Sequence, residues 1–301
     1  MSATTGQLFV SLQRLAVLCV VLSGLIHNAS AHTAVWKITK DSSTIYLGGT
    51  IHVLSADDYP LPLAFEQAYS KSSIIYFEVK LDELGSASFL QSLSHQSSYP
   101  LGENLREKLS EETWLLFDAF LSDRGLSANS VNHLRPGAIM STLLSLELTR
   151  LGVNAEGVDH FYHQQSTADK KEIRAFETAE QQVQLIANLG VGEEEEFIRY
   201  LIEDLDSLNV TFEQMKNAWL HGDNSLLARA GRLEELKTED PLTYAALLKK
   251  RNAAWLPEIE QMFSTEAVEL VLVGALHLAG DDGLLKSLSD RGYKIIQMQA
   301  H

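Results

Sequence analysis

Residues 45–52 read IYLGGTIH, and residues 270–277 repeat the pattern as LVLVGALH. Each stretch is an apolar run that ends in Gly-x-x-His, which is typical of a buried strand followed by a tight turn. The glycine allows the turn, or lets another group approach the backbone. Because α/β sheets bind ligands outside the carboxyl ends of their strands, His52 and His277 are predicted to share one site in the folded chain.

Further apolar runs predict the rest of a sheet. The predicted strands are residues 35–40, 43–47, 73–77, 171–176, 269–273 and 293–298, the first two forming a hairpin at Asp41-Ser42. Helical spacing dominates between residues 101 and 170 and again between 179 and 263, and a further helix is predicted over residues 281–291. The simplest architecture is α/β, or α+β, with a central mixed sheet, flanking helices and a large helical insertion, in a single domain over residues 32–301.

Charge limits the possible partners. The formal net charge is −16, and no cluster of Lys and Arg stands out. Nucleic acid and anionic membrane surfaces are therefore not expected partners. A cation is the more natural ligand for such a chain.

The N-terminus has the pattern of a secretory signal peptide. Arg14 precedes an apolar stretch over residues 15–26, and Ala29-Ser30-Ala31 is a small-x-small cleavage signal. We expect cleavage after Ala31, a periplasmic or secreted protein, and no stable membrane insertion afterwards. The only cysteine, Cys19, would leave with the signal, so the mature chain would carry a formal charge of −17 and no thiol.

Four predicted strand ends carry side chains that bind metals: His52, Glu78, Glu177 and His277. Two imidazoles and one or two carboxylates suit Zn, Mn, Fe or Co. A metal with an open position would lower the pKa of a bound water, and a carboxylate that is not a ligand would serve as general base. Any one of these residues taken alone is more often a solvated or capping group, and it is the repeated Gly-x-x-His that favours a site.

Two further histidines and two tryptophans have simpler interpretations than a role in a functional site. His160 and His163 lie three residues apart on a predicted helix, which suits surface or half-buried polar residues better than a metal pair. Trp219 and Trp255 lie among leucines, and we interpret them as core residues rather than a substrate platform.

A series of segments resembles the motifs of the TraB/GumN family, in the family's order and over nearly the whole chain after residue 35. They are GTIH at 49–52, Glu78, GVD at 157–159, FET at 176–178 with Gln181 and Gln182, WLHGD at 219–223, RNAAW at 251–255, and GALHL at 274–278 with Gly280 and Gly283. The family includes TIKI-type metalloproteases, and its fold is related to erythromycin esterases and the haem-binding ChaN proteins.

The resemblance implies roles for particular residues. His52, Glu78 and His277 would hold a divalent metal, Mn or Co by analogy, with Zn and Fe left open. Arg251 and Asn252 would contact the substrate or its transition state. Glu177 would act as general base or support the ligands. Asp159 is carried over from the same motif series, with a helix cap or brace as the alternative role.

The leading hypothesis is therefore a periplasmic or secreted metal-dependent hydrolase, with a metallopeptidase acting on a peptide or protein substrate favoured. One alternative is a non-catalytic protein that sequesters a peptide, haem or a metal. Another is a metal-independent, esterase-like hydrolase in which the histidines and glutamate activate water directly. A family of hydrolases can contain binders, so fold alone does not decide among the three.

Overall fold

A computed structural model describes residues 32–299, so the predicted signal peptide at 1–31 lies outside the described residues. The architecture is a mixed six-stranded sheet with helices packed on it, which confirms the predicted fold class. The strands of this sheet are β1 (His32–Lys40), β2 (Ser43–Thr50), β4 (Ile74–Val79), β6 (Glu172–Glu177), β7 (Glu269–Gly274) and β8 (Lys294–Gln299), and a separate two-stranded sheet pairs β3 (Val53–Leu54) with β5 (Ala155–Glu156).

Helices fill most of the chain between the strands. They are α1 (Leu63–Lys71), α2 (Ala87–Gln96), α3 (Glu111–Ser122), α4 (Ala128–Val131), α5 (Pro136–Arg150), α6 (Val158–Asp169), α7 (Ala179–Asn188), α8 (Glu194–Asp206), α9 (Leu208–Leu220), α10 (Asn224–Ala230), α11 (Leu233–Glu239), α12 (Pro241–Tyr244), α13 (Lys250–Met262) and α14 (Leu284–Asp290). A π-helical segment, Ala245–Lys249, leads into α13, and a 3₁₀ segment, Ala275–Leu278, follows β7. No helix within residues 32–299 is long and apolar enough to cross a membrane.

Strand order explains why residues far apart in sequence meet. The order across the sheet is β6-β4-β7-β2-β1-β8, and the four strands from β6 to β2 run parallel to one another. Thr50 at the end of β2 pairs with Gly274 at the end of β7. The carboxyl ends of all four parallel strands therefore lie on one edge of the sheet, as the sequence predicted. The hairpin of β1 with β2 is confirmed too, with Lys40 opposite Ser43.

The central strand β7 is covered on both faces, as expected for a parallel strand flanked by helices. Its residues Leu270 to Val273 are fully buried. On the neighbouring strand, a Cβ at Gly48 would collide with Leu272 and crowd Phe65, so close packing of α1 on the sheet requires glycine there. The indole of Trp219 in α9 donates to the carbonyl of Gly49 at 2.7 Å, which ties that helix to β2.

The helical insertion has an apolar core of its own. Phe117 and Leu121 of α3, Ile139 and Leu143 of α5, and Ile198 of α8 are all fully buried in it. Two details differ from the sequence prediction. The helix predicted over residues 281–291 is shorter, Leu284–Asp290, and the β3–β5 pair was not predicted because two-residue strands carry no periodic signal.

A buried glutamate lies at the start of β7, at the end of the strand away from the two histidines. Glu269 is 1% exposed, and one of its oxygens accepts from the Thr265 hydroxyl at 3.1 Å. The other oxygen, Oε2, has no hydrogen-bond partner among residues 32–299. Burial raises the pKa of Glu269, so the folded protein keeps this proton to a higher pH than the unfolded chain does. The unfolded chain ionises at an ordinary pKa, so this group destabilises the fold as pH rises above that value.

We expect Glu269→Gln to raise the free energy of unfolding at pH 7 by about 1 kcal/mol, because the amide removes the cost of a buried charge. The gain should shrink near pH 4.5, where about half of the carboxyl groups are neutral in the unfolded chain as well. Urea denaturation at both pH values measures it, and the exposed Glu266→Gln variant is the control. A destabilised Glu269→Gln variant at pH 7 would contradict this account.

Candidate functional site

Four parallel strand ends deliver the predicted side chains to one place. His52 follows β2, Glu78 lies near the end of β4, Glu177 ends β6, and His277 lies in the 3₁₀ turn after β7. Glu78 and His277 are buried, at 8% and 4% exposure. The side chain of His52 is 64% exposed, so it forms the open side of the cluster.

Gly274 lies at the centre of the cluster. A Cβ on this residue would be 3.2 Å from Oε1 of Glu78, 3.5 Å from Nε2 of His52 and 3.7 Å from Cδ2 of His277. The absence of a side chain at Gly274 thus leaves room for these groups to converge. Its own N–H donates to Oε1 of Glu78 at 2.6 Å, which fixes the carboxylate against the end of β7.

His52 is oriented from the helix α6. Its Nδ1 lies 2.7 Å from Oδ2 of Asp159, and the other oxygen of Asp159 accepts from the Thr50 hydroxyl at 2.7 Å. A carboxylate only accepts, so Nδ1 of His52 donates and Nε2 faces the cluster. The helix comes this close because a Cβ on Gly157 would overlap the backbone of His52. Of the two roles left open for Asp159, these contacts favour membership of the site over a helix cap or brace alone.

His277 is oriented by an amide. Nδ2 of Asn252 donates to the carbonyls of His277, at 3.1 Å, and Asp282, at 2.9 Å. These two bonds identify the amide nitrogen, so Oδ1 of Asn252 accepts from Nδ1 of His277 at 2.6 Å. Nε2 of His277 then carries a lone pair. Asn252 is buried with its amide committed to His277, which favours a positioning role over the substrate contact implied by the family resemblance.

Arg251 joins three of the predicted residues. Its guanidinium donates to Glu78 Oε2 at 2.5 Å, to Glu177 Oε1 at 2.7 Å and Oε2 at 3.1 Å, and lies 3.0 Å from Nε2 of His277. An always-protonated guanidinium donates in that last contact. Arg251 is therefore a half-buried cation between two carboxylates, and it engages the lone pair that His277 presents to the site.

The carboxylate of Glu177 is fixed by hydrogen bonds. Besides Arg251, it accepts from the indole N–H of Trp255 at 3.0 Å and from Gln182 at 3.4 Å. Of the two roles considered from the sequence, support of the other residues suits these contacts better than general base catalysis. Trp255 is buried, as predicted, but its ring also packs 4.5 Å from that of His277. Its part in the site was missed because a tryptophan among apolar residues has the sequence pattern of core.

The charges of the site differ between its members. Burial raises the pKa of Glu78, but nearby positive charge outweighs it and lowers that pKa to about 2. We assign this effect to Arg251 and, after it, to His52, because burial lowers the pKa of His277 to about 4 and leaves its ring neutral near pH 7. The Asp159 carboxylate raises the pKa of His52 to about 9, with water around the exposed ring screening the pair.

The donor set fits a divalent metal in its chemistry. Two imidazoles direct Nε2 toward Glu78, and each has its Nδ1 held by an acceptor, as metal-binding histidines usually do. The donor atoms of these side chains are not arranged as a coordination shell. Within residues 32–299, no group of three or more His, Cys, Asp or Glu side chains is arranged to hold a metal ion. A metal on these residues would take the lone pair of His277 from Arg251 and the proton from Nε2 of His52.

The histidines of α6 do not join this cluster. His160 is exposed, and His163 is half-buried with its Nε2 3.9 Å from Asp82 and its ring against Phe77. The interpretation of both as surface or half-buried polar residues is confirmed.

These features define an α/β protein with a polar centre of two histidines, two glutamates and an arginine at the carboxyl edge of its sheet. The chain belongs to the TraB/PrgY/gumN family, whose family model matches residues 34–297. It is also similar to metalloprotease TIKI1 of Danio rerio, with 29% identity over 180 residues, which is 52% of this chain and 36% of that relative. The chain thus matches about a third of that relative's length. No solved structure matches the chain.

We expect Asp159→Asn to lower the pKa of His52 by at least about one unit, because the neutral amide no longer favours the imidazolium. An NMR titration of the His52 ring protons in metal-free protein measures it. The variant Asp82→Asn, beside His163, is the control and should leave His52 unchanged. An unchanged titration of His52 in Asp159→Asn would show that the ion pair with Asp159 does not form.

Proposed function

We propose that this protein is a metal-dependent hydrolase, specifically a peptidase, acting outside the cytoplasm after loss of residues 1–31. The observation that carries the proposal is the convergence of His52, Glu78 and His277 around Gly274, with both histidines oriented through Nδ1. Similarity to a protein named as a metalloprotease supports the same class of chemistry.

His52, Glu78 and His277 would hold the metal, with Mn or Co favoured and Zn or Fe compatible with the same donors. A bound divalent metal would supply a water of lowered pKa as nucleophile and polarise the scissile carbonyl. Asp159 and Asn252 hold the two imidazoles in the orientation this requires. Without these partners each ring could rotate, and the affinity for the metal typically falls when such partners are removed.

Arg251 supplies the positive charge for the reaction. Its guanidinium lies at the cluster, and its planar fork is fixed by both oxygens of Glu177. A preorganised cation of this kind stabilises the oxyanion that develops when a carbonyl is attacked. Glu177 and Trp255 act through Arg251, by holding it beside Glu78 and His277.

One observation favours a second candidate, a metal-independent hydrolase. Arg251 donates to Nε2 of His277, which is the lone pair that a metal would use. With that contact kept, Glu78 and the histidines would have to orient water through hydrogen bonds alone. Hydrolysis that persists after chelation would favour this candidate over the metallopeptidase.

Removal of both histidines tests the metal site. We expect residues 32–301 to bind about one equivalent of Mn²⁺ or Co²⁺, and the His52→Ala/His277→Ala variant to bind at least about 100-fold more weakly, because two of three ligands are lost. Isothermal titration calorimetry measures the affinity, with His160→Ala as the control for loss of an exposed histidine. Equal affinity in the double variant and wild type would contradict the ligand assignment.

The role of Arg251 is tested by Arg251→Lys, which keeps the charge but cannot reach Glu78 and both oxygens of Glu177 together. We expect kcat on a peptide substrate to fall by about 100-fold or more, as when a preorganised oxyanion donor is removed. KM should change much less. The Lys249→Arg variant, at an exposed neighbouring position, is the control. A kcat equal to that of wild type would remove Arg251 from the reaction.

A further inference from the structure

A groove leads away from the site between α7 and the helical segment 245–262. Two adjoining cavities of about 340 and 290 Å³ make up this groove, and both are lined by Gln181 and Leu185. The inner cavity reaches Glu177, Arg251 and Trp255. The groove therefore reaches the candidate site on the side formed by Glu177 and Arg251.

Helical spacing builds both walls of the groove. The α7 wall presents residues 181, 184, 185 and 188, which follow the i, i+3, i+4, i+7 spacing of one helix face. The opposite wall presents residues 246, 250, 254 and 258, spaced four apart along the neighbouring segment. Twelve residues of helix span about 18 Å, at about 1.5 Å per residue. An extended peptide rises about 3.3 Å per residue, so this longer wall of the groove matches about five residues.

The lining of the groove suits a peptide main chain. Gln181, Gln184 and Asn188 provide amide groups along one wall, and Leu185 and Ala246 provide apolar surface beside them. Oε1 of Gln181 accepts from Thr178, and Nδ2 of Asn188 donates to the carbonyl of Gln184. Nε2 of Gln181 and Oδ1 of Asn188 are therefore the groups that can pair with the C=O and the N–H of an extended chain. This alternation of amide and apolar groups differs from the compact, charged surroundings of Arg251.

Two charged side chains on this wall, Lys250 and the half-buried Glu258, form no ion pair within residues 32–299. Lys250 lines the inner cavity and is exposed. Its neighbours in the chain differ, since Lys249 approaches Asp282 at 3.5 Å and Arg251 is committed to Glu78 and Glu177. Lys250 is thus the cation on this wall that is available to a ligand.

We propose that this groove binds an extended peptide of about five residues, with one carboxylate of that peptide beside Lys250. The inference rests on the proposed function, because it takes the peptide to be the substrate. The carboxylate belongs either to an acidic side chain or to the C-terminus of the peptide. Lys250 is then a specificity-determining residue, since it selects among peptides without touching the reacting atoms.

The test is a binding measurement on residues 32–301 in EDTA, so that metal-dependent cleavage plays no part. The probes are three pools of fluorescein-labelled hexapeptides. Two are amidated at the C-terminus and differ only in a fixed Glu or Gln, and the third has the Gln and a free carboxyl terminus. Fluorescence anisotropy gives the Kd of each pool for wild type, Lys250→Glu, Ala246→Trp and the control Lys294→Glu. Lys294 lies on β8, which is the outermost strand on the side of the sheet away from β6.

Wild type is expected to bind the Glu pool or the free-carboxyl pool about threefold to fivefold more tightly than the amidated Gln pool, as for one exposed ion pair. Whichever pool is preferred identifies the source of the carboxylate. Lys250→Glu should remove or reverse the preference, and Lys294→Glu should keep it. An additional probe is a fluorescein-labelled tripeptide. Ala246→Trp should weaken the binding of all three hexapeptide pools but not of this tripeptide, because the indole fills the outer half of the groove.

Equal affinity for all three pools, or the same change in Lys250→Glu and Lys294→Glu, would overturn the proposal. Circular dichroism of each variant establishes folding, and Lys250→Glu carries the test if Ala246→Trp does not fold. The proposed hydrolase can fail independently. If the expected pool preferences appear without metal binding or cleavage, the groove stands as a peptide-binding site. If metal binding and cleavage appear without pool preferences, only the proposal for the groove is rejected.

Discussion

The parallel pairing of β2 with β7 is the constraint on which the site depends. It places Thr50 beside Gly274, and so brings together two histidines that lie 225 residues apart in the sequence. Glycine at position 48 leaves room for its partner in this pairing, since a Cβ there would lie 2.8 Å from Cδ2 of Leu272. Both Gly-x-x-His segments then leave the sheet at the same edge. The glycine of the second segment, Gly274, is also the point on which His52, Glu78 and His277 converge.

Burial of charge is the second organising feature. Arg251, Glu78 and Glu177 are taken largely out of water, which is costly unless each charge is paired. Their mutual contacts satisfy that requirement and fix the guanidinium beside the lone pair of His277. The same arrangement sets up a competition at Nε2 of His277 between Arg251 and any metal. Metal-dependent and metal-independent hydrolysis differ in which of the two holds that nitrogen.

The sequence was informative where local pattern and position coincide. His52, Glu78, Glu177 and His277 were recognisable because each ends an apolar run, and parallel strands share one edge. Arg251 and Asn252 lie on a helix, where no periodicity marks them, and they entered only through the family resemblance. The roles of Asp159 and Trp255 depend on which helix packs against which strand end. Residues 157–159 did contain a signal, since a glycine directly before a helix permits close approach to another backbone.

The central claim is that His52 and His277 ligate one metal ion, and pulsed EPR of Mn²⁺ on ¹⁵N-histidine-labelled protein tests it most directly. The expected spectrum shows couplings from two histidine nitrogens, with one lost in His52→Ala and one in His277→Ala. His160→Ala should retain both couplings. Bound Mn²⁺ without histidine couplings, or with couplings that survive both single variants, would contradict the claim and leave Arg251 as the cation of the site.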